Sequence, residues 1–221
     1  MKAFCSWSGG KDSCLACYRA MREGLEVCCL LNMLSEDGSR ARSHGLRAEV
    51  LMAQSEAVGI PMIQRAASWE SYEGEFKRAV LALKEEGIEA GVFGDIDLIE
   101  HREWVERVCR ELGVKPVLPL WGSDREEVME ELISAGFEAV VVAVRKDALG
   151  PEWLGRGIDD RFVDELRGKG IDLCGEEGEY HTLVIDGPIF SRRLVIERAE
   201  IVDRGEVTFL DITGFKLETK G

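Results

Sequence analysis

The stretch that constrains this chain most lies near its start, where Lys2-Ala3-Phe4-Cys5-Ser6-Trp7 runs directly into Ser8-Gly9-Gly10-Lys11-Asp12-Ser13. A short apolar strand gives way to two glycines, a lysine and two hydroxyls, and a helical pattern opens at once. Without a Cβ, Gly9 and Gly10 let the backbone turn sharply and bring its N–H groups against an anion. A helix beginning near Asp12 adds unpaired N–H groups and the positive end of its dipole. Lys11 contributes a point charge, and Ser8 and Ser13 contribute hydroxyl donors. A bare Gly-Gly turn needs none of this flanking chemistry, so the pattern predicts a phosphate cradle.

The rest of the first half alternates strands and helices. Asp12 to Glu23 reads as a helix stopped by Gly24, and Glu26 to Leu34 as a strand apolar enough to be buried on both faces. Ser35 to Ser43 is polar and reads as a mobile loop. A helix is expected from His44 to Ala57, a weak strand over 61–65, a helix from Ser71 to Glu86 and a short strand over 90–93. Asp97-x-x-Glu100 forms a candidate capping box for the next helix, and 114–118 a fifth strand. Such a chain predicts an α/β fold with a doubly wound, five-stranded parallel sheet. The segments after strands one, two and four (Ser8–Ser13, Asn32–Ser35, Gly94–Asp97) would then open on one crevice, where sheets of this kind bind ligands.

A boundary is expected at Pro119–Gly122, giving one domain over 1–122 and a smaller α+β domain over 123–221. Ser123-Asp124-Arg125-Glu126 reads as a capping box. A helix to Gly136, a strand over 137–144, a loop over 145–157 and a short helix at 162–166 follow. Strands over 183–186, 194–202 and 207–217, with a hairpin turn at Asp203–Glu206, complete the chain.

The arrangement at Ser8–Ser13 differs from a Walker loop, because Cys5 stands where the first glycine belongs and Asp12 follows Lys11. Ser-Gly-Gly-Lys-Asp-Ser instead resembles the PP-loop of the N-type ATP pyrophosphatases, which cut ATP between its α and β phosphates. Two further stretches narrow the resemblance. They are Gly94-Asp95-Ile96 followed by His101-Arg102-Glu103-Trp104-Val105-Glu106, and Gly175-Glu176-Glu177-Gly178-Glu179-Tyr180-His181-Thr182. Together they resemble the diphthine–ammonia ligase family in its short, archaeal-like form, over Met1 to about Phe190.

That resemblance implies a HUP-type (adenine nucleotide alpha hydrolase-like) ATP-binding domain and a carboxylate–ammonia ligase. Its substrates would be ATP with Mg2+, ammonium, and elongation factor 2 carrying diphthine. Ser8, Gly9, Gly10, Lys11, Asp12 and Ser13 would hold the β and γ phosphates, leaving the α phosphorus open to a carboxylate. An acyl-adenylate and pyrophosphate would form, and ammonia would then displace AMP. Lys11, Asp12 and Ser13 are the expected catalytic loop residues, with His181 helping to deprotonate ammonium. Asn32 and Met33 are placed at adenine, His44 at phosphate or as a helix cap, and Gly94 and Asp95 at the nucleotide. Asp12 and Asp95 are candidate magnesium ligands, and either could serve as a cap. The carboxylates Glu176, Glu177 and Glu179, with Tyr180, His181, Thr182 and Trp121, form a candidate surface for the trimethylammonium group of diphthine. A glutaminase domain would not fit beside both halves in 221 residues, so free ammonium is the expected nitrogen source.

The formal net charge of −14 argues against a nucleic-acid surface, and with it against a tRNA-thiolating enzyme, the nearest alternative on this fold. A non-catalytic ATP-binding sensor is the other alternative. The seven cysteines, an odd number within apolar-patterned segments, predict reduced and buried thiols in a cytoplasmic protein. Cys14-x-x-Cys17 falls on an apolar helical stripe and reads as core. Met1-Lys2 leads into a strand too short for a secretory signal, and no apolar run could span a bilayer. The sequence leaves oligomeric state open, a homo-oligomer included.

Overall fold

The computed structural model describes residues 1–42 and 44–220. Ser43, the last residue of the loop expected over 35–43, lies outside them. The chain divides into two compact units. The first comprises Met1–Ser8, Asp12–Ser43 and Gly59–Ser123, and the second Gly9–Lys11, His44–Val58 and Asp124–Gly221. The second unit thus takes in two segments that a cut at residue 122 leaves in the first.

In the first unit β1 (Lys2–Ser6), β2 (Glu26–Leu34), β3 (Met62–Ala66), β4 (Ala90–Val92) and β5 (Lys115–Val117) form one parallel sheet in the order β3-β2-β1-β4-β5. This is the doubly wound α/β arrangement that the alternating pattern predicts. Helices α1 (Lys11–Arg22), α3 (Tyr72–Glu85) and α4 (Ile99–Leu112) supply its crossovers. Phe4, Phe76 and Phe93 meet edge-to-face or tilted at 5.9–6.3 Å in the core, and Trp104 packs on Phe76 at 5.3 Å. Cys14 and Cys17 are fully buried in α1, as an apolar stripe requires, and all seven cysteines are free.

Helix α2 (Ala48–Val58) connects β2 to β3, yet it groups with the second unit, where it packs on β8 (Arg192–Arg204) and β9 (Val207–Thr219). The cause is local. Arg47 forms a bidentate pair with Asp211 at 2.8 Å, and Ser191 binds the Ala57 carbonyl through both its N–H and its hydroxyl. The helix also begins four residues later than expected. His44 precedes it in a turn, its ring bound elsewhere, so His44 does not cap the helix.

The second unit carries an antiparallel sheet in the order β7-β6-β9-β8, with β6 over Glu138–Arg145 and β7 over Tyr180–Asp186. Gly205-Glu206 is the two-residue turn of the β8–β9 hairpin. Helix α5 (Arg125–Ser134) is capped by Asp124, whose carboxylate accepts from the amides of Glu126 and Glu127, rather than by Ser123. Helix α6 (Asp160–Lys169) extends past the expected 162–166, because Asp159 caps it and Gly170 closes it.

One further expectation gives way. Leu98, not Asp97, is the N-cap of α4, and it makes no side-chain capping bond. The polar segment after β2, expected to be mobile, carries a hydrogen-bonded turn. Ser35 N–H binds Arg40 O at 2.7 Å, Arg42 N–H binds Met33 O at 3.1 Å, and Leu34 bridges Ala41. Asp37 organises its tip by accepting from Ser35 and Ser39, and those bonds hold its carboxyl down at about 2.

Candidate functional site

The hexapeptide Ser8–Ser13 is divided between the units, Ser8, Asp12 and Ser13 belonging to the first and Gly9–Lys11 to the second. In the first unit the Ser8 and Ser13 hydroxyls bond each other at 3.2 Å. Helix α1 begins at Lys11, so Asp12 lies in its first turn and is not the cap, and a carboxylate there is favoured by the helix dipole. Strands β1 and β4 are neighbours, which brings the segments that follow them together. A Cβ on Gly94 would fall 2.9–3.0 Å from the Asp12 carbonyl group and the Ser13 nitrogen. Glycine is therefore required at 94 for the two loops to touch. Beyond it, Asp95 Oδ1 lies 3.1 Å from His101 Nδ1 on the first turns of α4.

Asn32 and Met33, placed at adenine by sequence, lie inside β2 rather than after it. Asn32 is buried, and its amide donates to the Trp7 carbonyl at 2.8 Å, tying β2 to the end of β1. The Met33 carbonyl already accepts from Arg42. Trp121 is half-buried and stacks with Arg102 at 4.9 Å.

The second unit encloses Gly9–Lys11. Gly9 adopts a φ of +82°, and a Cβ there would meet Leu51 Cδ2 at 2.4 Å and Gln54 Oε1 at 2.7 Å. A Cβ on Gly10 would fall 2.2 Å from His44 Cε1. Both glycines are thus required by the protein's own packing, in addition to anything bound. Gln54, fully buried, donates through Nε2 to Gly9 O at 3.0 Å and Val184 O at 2.7 Å, while Val184 N–H also binds Gly9 O. Thr182 is the second clamp. Its hydroxyl accepts from Lys11 N–H at 3.0 Å, and its carbonyl faces His44 Nδ1 at 2.9 Å.

A carbonyl only accepts, so Nδ1 of His44 carries the proton and Nε2 presents a lone pair. Burial holds the His44 pKa down at about 4, against the Thr182 carbonyl, which raises it, and with the Lys11 charge, which lowers it further. His44 is therefore neutral at pH 7. His181 stacks on it, with ring centroids 4.6 Å apart and planes 24° apart.

Lys11 is 3% exposed, and its Nζ binds the Cys174 carbonyl while lying 5.7 Å from the Tyr180 ring centroid. The eight-residue motif begins just after that carbonyl. Asp172 braces it, accepting from Cys174 N–H and Glu176 N–H and pairing with Arg125 at 2.9 Å. Of the carboxylates expected to form a recognition surface, Glu177 is exposed and Glu176 half-buried. Tyr180 and Glu179 are not part of such a surface. Tyr180 is 2% exposed, its hydroxyl bound to Leu173 O and its ring edge-on to Phe162 at 5.4 Å, which makes it core. Glu179 is 6% exposed. Thr182, inside β7, holds the glycine loop instead of facing outward.

Gln54 is the residue that sequence reasoning missed. Its signal was a polar side chain set among the buried positions Val50, Leu51, Ala57 and Val58 of α2.

An open parallel sheet whose first strand passes through Ser-Gly-Gly-Lys-Asp-Ser into a helix defines a nucleotide-binding α/β protein with a PP-loop. The family follows from the whole chain. Residues 1–116 match the diphthamide synthase N-terminal domain and residues 124–217 the diphthamide synthase C-terminal domain. The chain belongs to the diphthamide synthase family. A protein named diphthine–ammonia ligase from Rattus norvegicus is 29% identical over 96% of this chain and 91% of its own length. Its Homo sapiens namesake is 28% identical over 88% of this chain and 82% of its own. The Schizosaccharomyces pombe namesake is 28% identical over 96% of this chain, which spans 39% of that longer protein. Among solved structures, a predicted subunit of tRNA methyltransferase from Methanocaldococcus jannaschii matches with a TM-score of 0.49 and 13% identity, over 85% of this chain and 98% of its own. That likeness is too distant to bear on function. Among the described residues no helix is long and apolar enough to cross a membrane.

Proposed function

We propose that this chain uses ATP and ammonium to convert diphthine on elongation factor 2 into diphthamide, releasing AMP and pyrophosphate. The observation that carries the reading is the hexapeptide itself. Its sequence joins a lysine and two serine hydroxyls at the start of α1, and its Gly9–Lys11 segment is clamped by Gln54 and Thr182. The clamped main chain is pre-organised, so its N–H groups need no rearrangement when phosphoryl oxygens gain negative charge, while the Lys11 ammonium group would exchange the Cys174 carbonyl for phosphate.

In this reading the turn holds the outer phosphates and the diphthine carboxylate attacks the α phosphorus. An acyl-adenylate results, pyrophosphate leaves, and ammonia then displaces AMP at the carbonyl carbon. Asp12 and Asp95 are the proposed carboxylates for magnesium. Among the described residues no group of three or more His, Cys, Asp or Glu side chains could hold a metal, so the cation would draw its other ligands from phosphate and water. Gly94 brings the Asp95 segment against Asp12 and so supports the pairing. His181 is the proposed base for ammonium. Its stacking partner His44 is neutral and opposes no positive charge that His181 takes on. Glu176 and Glu177 are proposed to meet the trimethylammonium group. The division of labour between a nucleotide domain over 1–122 and a recognition domain over 123–221 belongs to the same proposal.

The test is AMP release from ATP, with and without ammonium and diphthine-bearing elongation factor 2. Release is expected only with both, and Lys11→Ala should lower it about a hundredfold or more. ATP binding without turnover under every condition would overturn the reading in favour of a sensor.

A further inference from the structure

Among the described residues of the second unit, Glu179 and Thr213 each bury a side-chain oxygen without a hydrogen-bond partner, and of the two only Glu179 is a carboxylate. It is 94% buried, and its Oε2 is enclosed without a hydrogen-bond partner among the described residues. Its neighbours are engaged elsewhere. The Glu179 carbonyl accepts from Arg145 N–H at 2.9 Å, but the Arg145 side chain turns to Asp147 at 2.6 Å and to the Glu177 carbonyl. Tyr180, next along the chain, gives its hydroxyl to Leu173. A buried carboxylate oxygen left in this state is costly, by about 1–3 kcal/mol or more, and natural folds keep such a group where something binds it.

We propose that Glu179 Oε2 is the seat of the ammonium ion, the small co-substrate of the reaction above, on which this inference rests. Three observations point to that ligand class. The acceptor is a carboxylate, so the ligand is a cation or a hydrogen-bond donor. The oxygen is enclosed, which excludes a trimethylammonium group and limits any ligand to a species no larger than a water molecule. The site lies in the same Gly175–Thr182 segment as His181, two residues along the chain from the proposed base. The chemistry asked of Glu179 is binding and orientation alone. It accepts an N–H of ammonium, and the departing proton is left to His181.

Glu179→Gln keeps the shape and removes the charge. We expect it to raise the KM for ammonium about a hundredfold, with the KM for ATP unchanged, as loss of a buried charged partner implies. The variant should remain folded and melt close to the temperature of the parent protein, because Gln keeps the volume of Glu. Glu197→Gln, an exposed carboxylate on β8 of the same unit, should leave the ammonium KM unchanged. A second arm needs no turnover: nitrogen-15 ammonium added to the intact protein should give a bound resonance that Glu179→Gln abolishes. An unchanged ammonium KM in Glu179→Gln, or a bound resonance that survives it, would overturn the assignment. Absence of AMP release in the parent protein with the bound resonance intact would instead remove the ligase reading and leave the cation site standing.

Discussion

The two parts of the hexapeptide are held by different means. Ser8, Asp12 and Ser13 take their places from the first unit's backbone, from β1 ending, α1 beginning and the Gly94 segment pressing against the first turn. Gly9, Gly10 and Lys11 are held by side chains of the second unit, namely Gln54, His44 and Thr182. The contrast teaches that a phosphate-type loop can have its glycines dictated by protein packing as much as by ligand. It also makes the loop only as well formed as the side chains that close on it.

The sharpest way to break this comparison is Gly10→Ala. The new methyl group would occupy the space of His44 Cε1, and overpacking of this kind costs about 1–3 kcal/mol. AMP release should fall by more than the loss of stability explains, because His44 and the Lys11 amide move together through Thr182. Adding His44→Ala removes the clash, so the double variant should be more stable than Gly10→Ala alone. Denaturant unfolding of the two variants measures this, and equal midpoints would place the constraint elsewhere.

A smaller effect is expected from pH. The folded-state pKa of His44 is about 4, below its ordinary value of 6.5, so the unfolded chain binds the proton more readily. The stability that neutral His44 contributes is complete above about pH 6.5. It is lost as pH falls from there toward 4. Unfolding midpoints recorded across this window should decline for the parent protein and decline less for His44→Gln. Parallel profiles would contradict the assigned neutral state.

The smallest effect belongs to the contact between His101 and Asp95 in the first unit. His101 is largely exposed, and breaking its contact with Asp95 by His101→Ala should change stability by less than about 1 kcal/mol, and by less still in high salt. Asp95→Asn should be equally mild for stability while raising the magnesium needed for half-maximal AMP release. A large stability loss from either change would mean that this corner carries structural weight comparable to the Gln54 and Thr182 clamps.

How far the sequence disclosed these arrangements follows the same division. The parallel sheet, its five strands and the glycine turn were legible, because they are written in local periods, in strand-to-helix junctions and in residues that few other conformations use. The buried roles of Tyr180, Glu179 and Thr182 were not. A run of three carboxylates among four residues reads as solvated until the packing of Phe162 and Trp153 shows the strand turning inward. The assignment of α2 to the second unit was equally hidden, since Arg47 finds Asp211 across 164 residues of chain. Capping was the least reliable inference, as Asp124 and Leu98 displaced the neighbouring Ser123 and Asp97 by a single residue each.

The most direct test of the account follows an oxygen atom. Elongation factor 2 whose diphthine carboxylate carries oxygen-18 would be turned over with ATP and ammonium, and the AMP analysed by mass. Attack of the carboxylate on the α phosphorus predicts one oxygen-18 in AMP for each diphthamide formed. Label absent from AMP and found in orthophosphate alongside ADP would contradict it, because the carboxylate would then have attacked the outermost phosphorus.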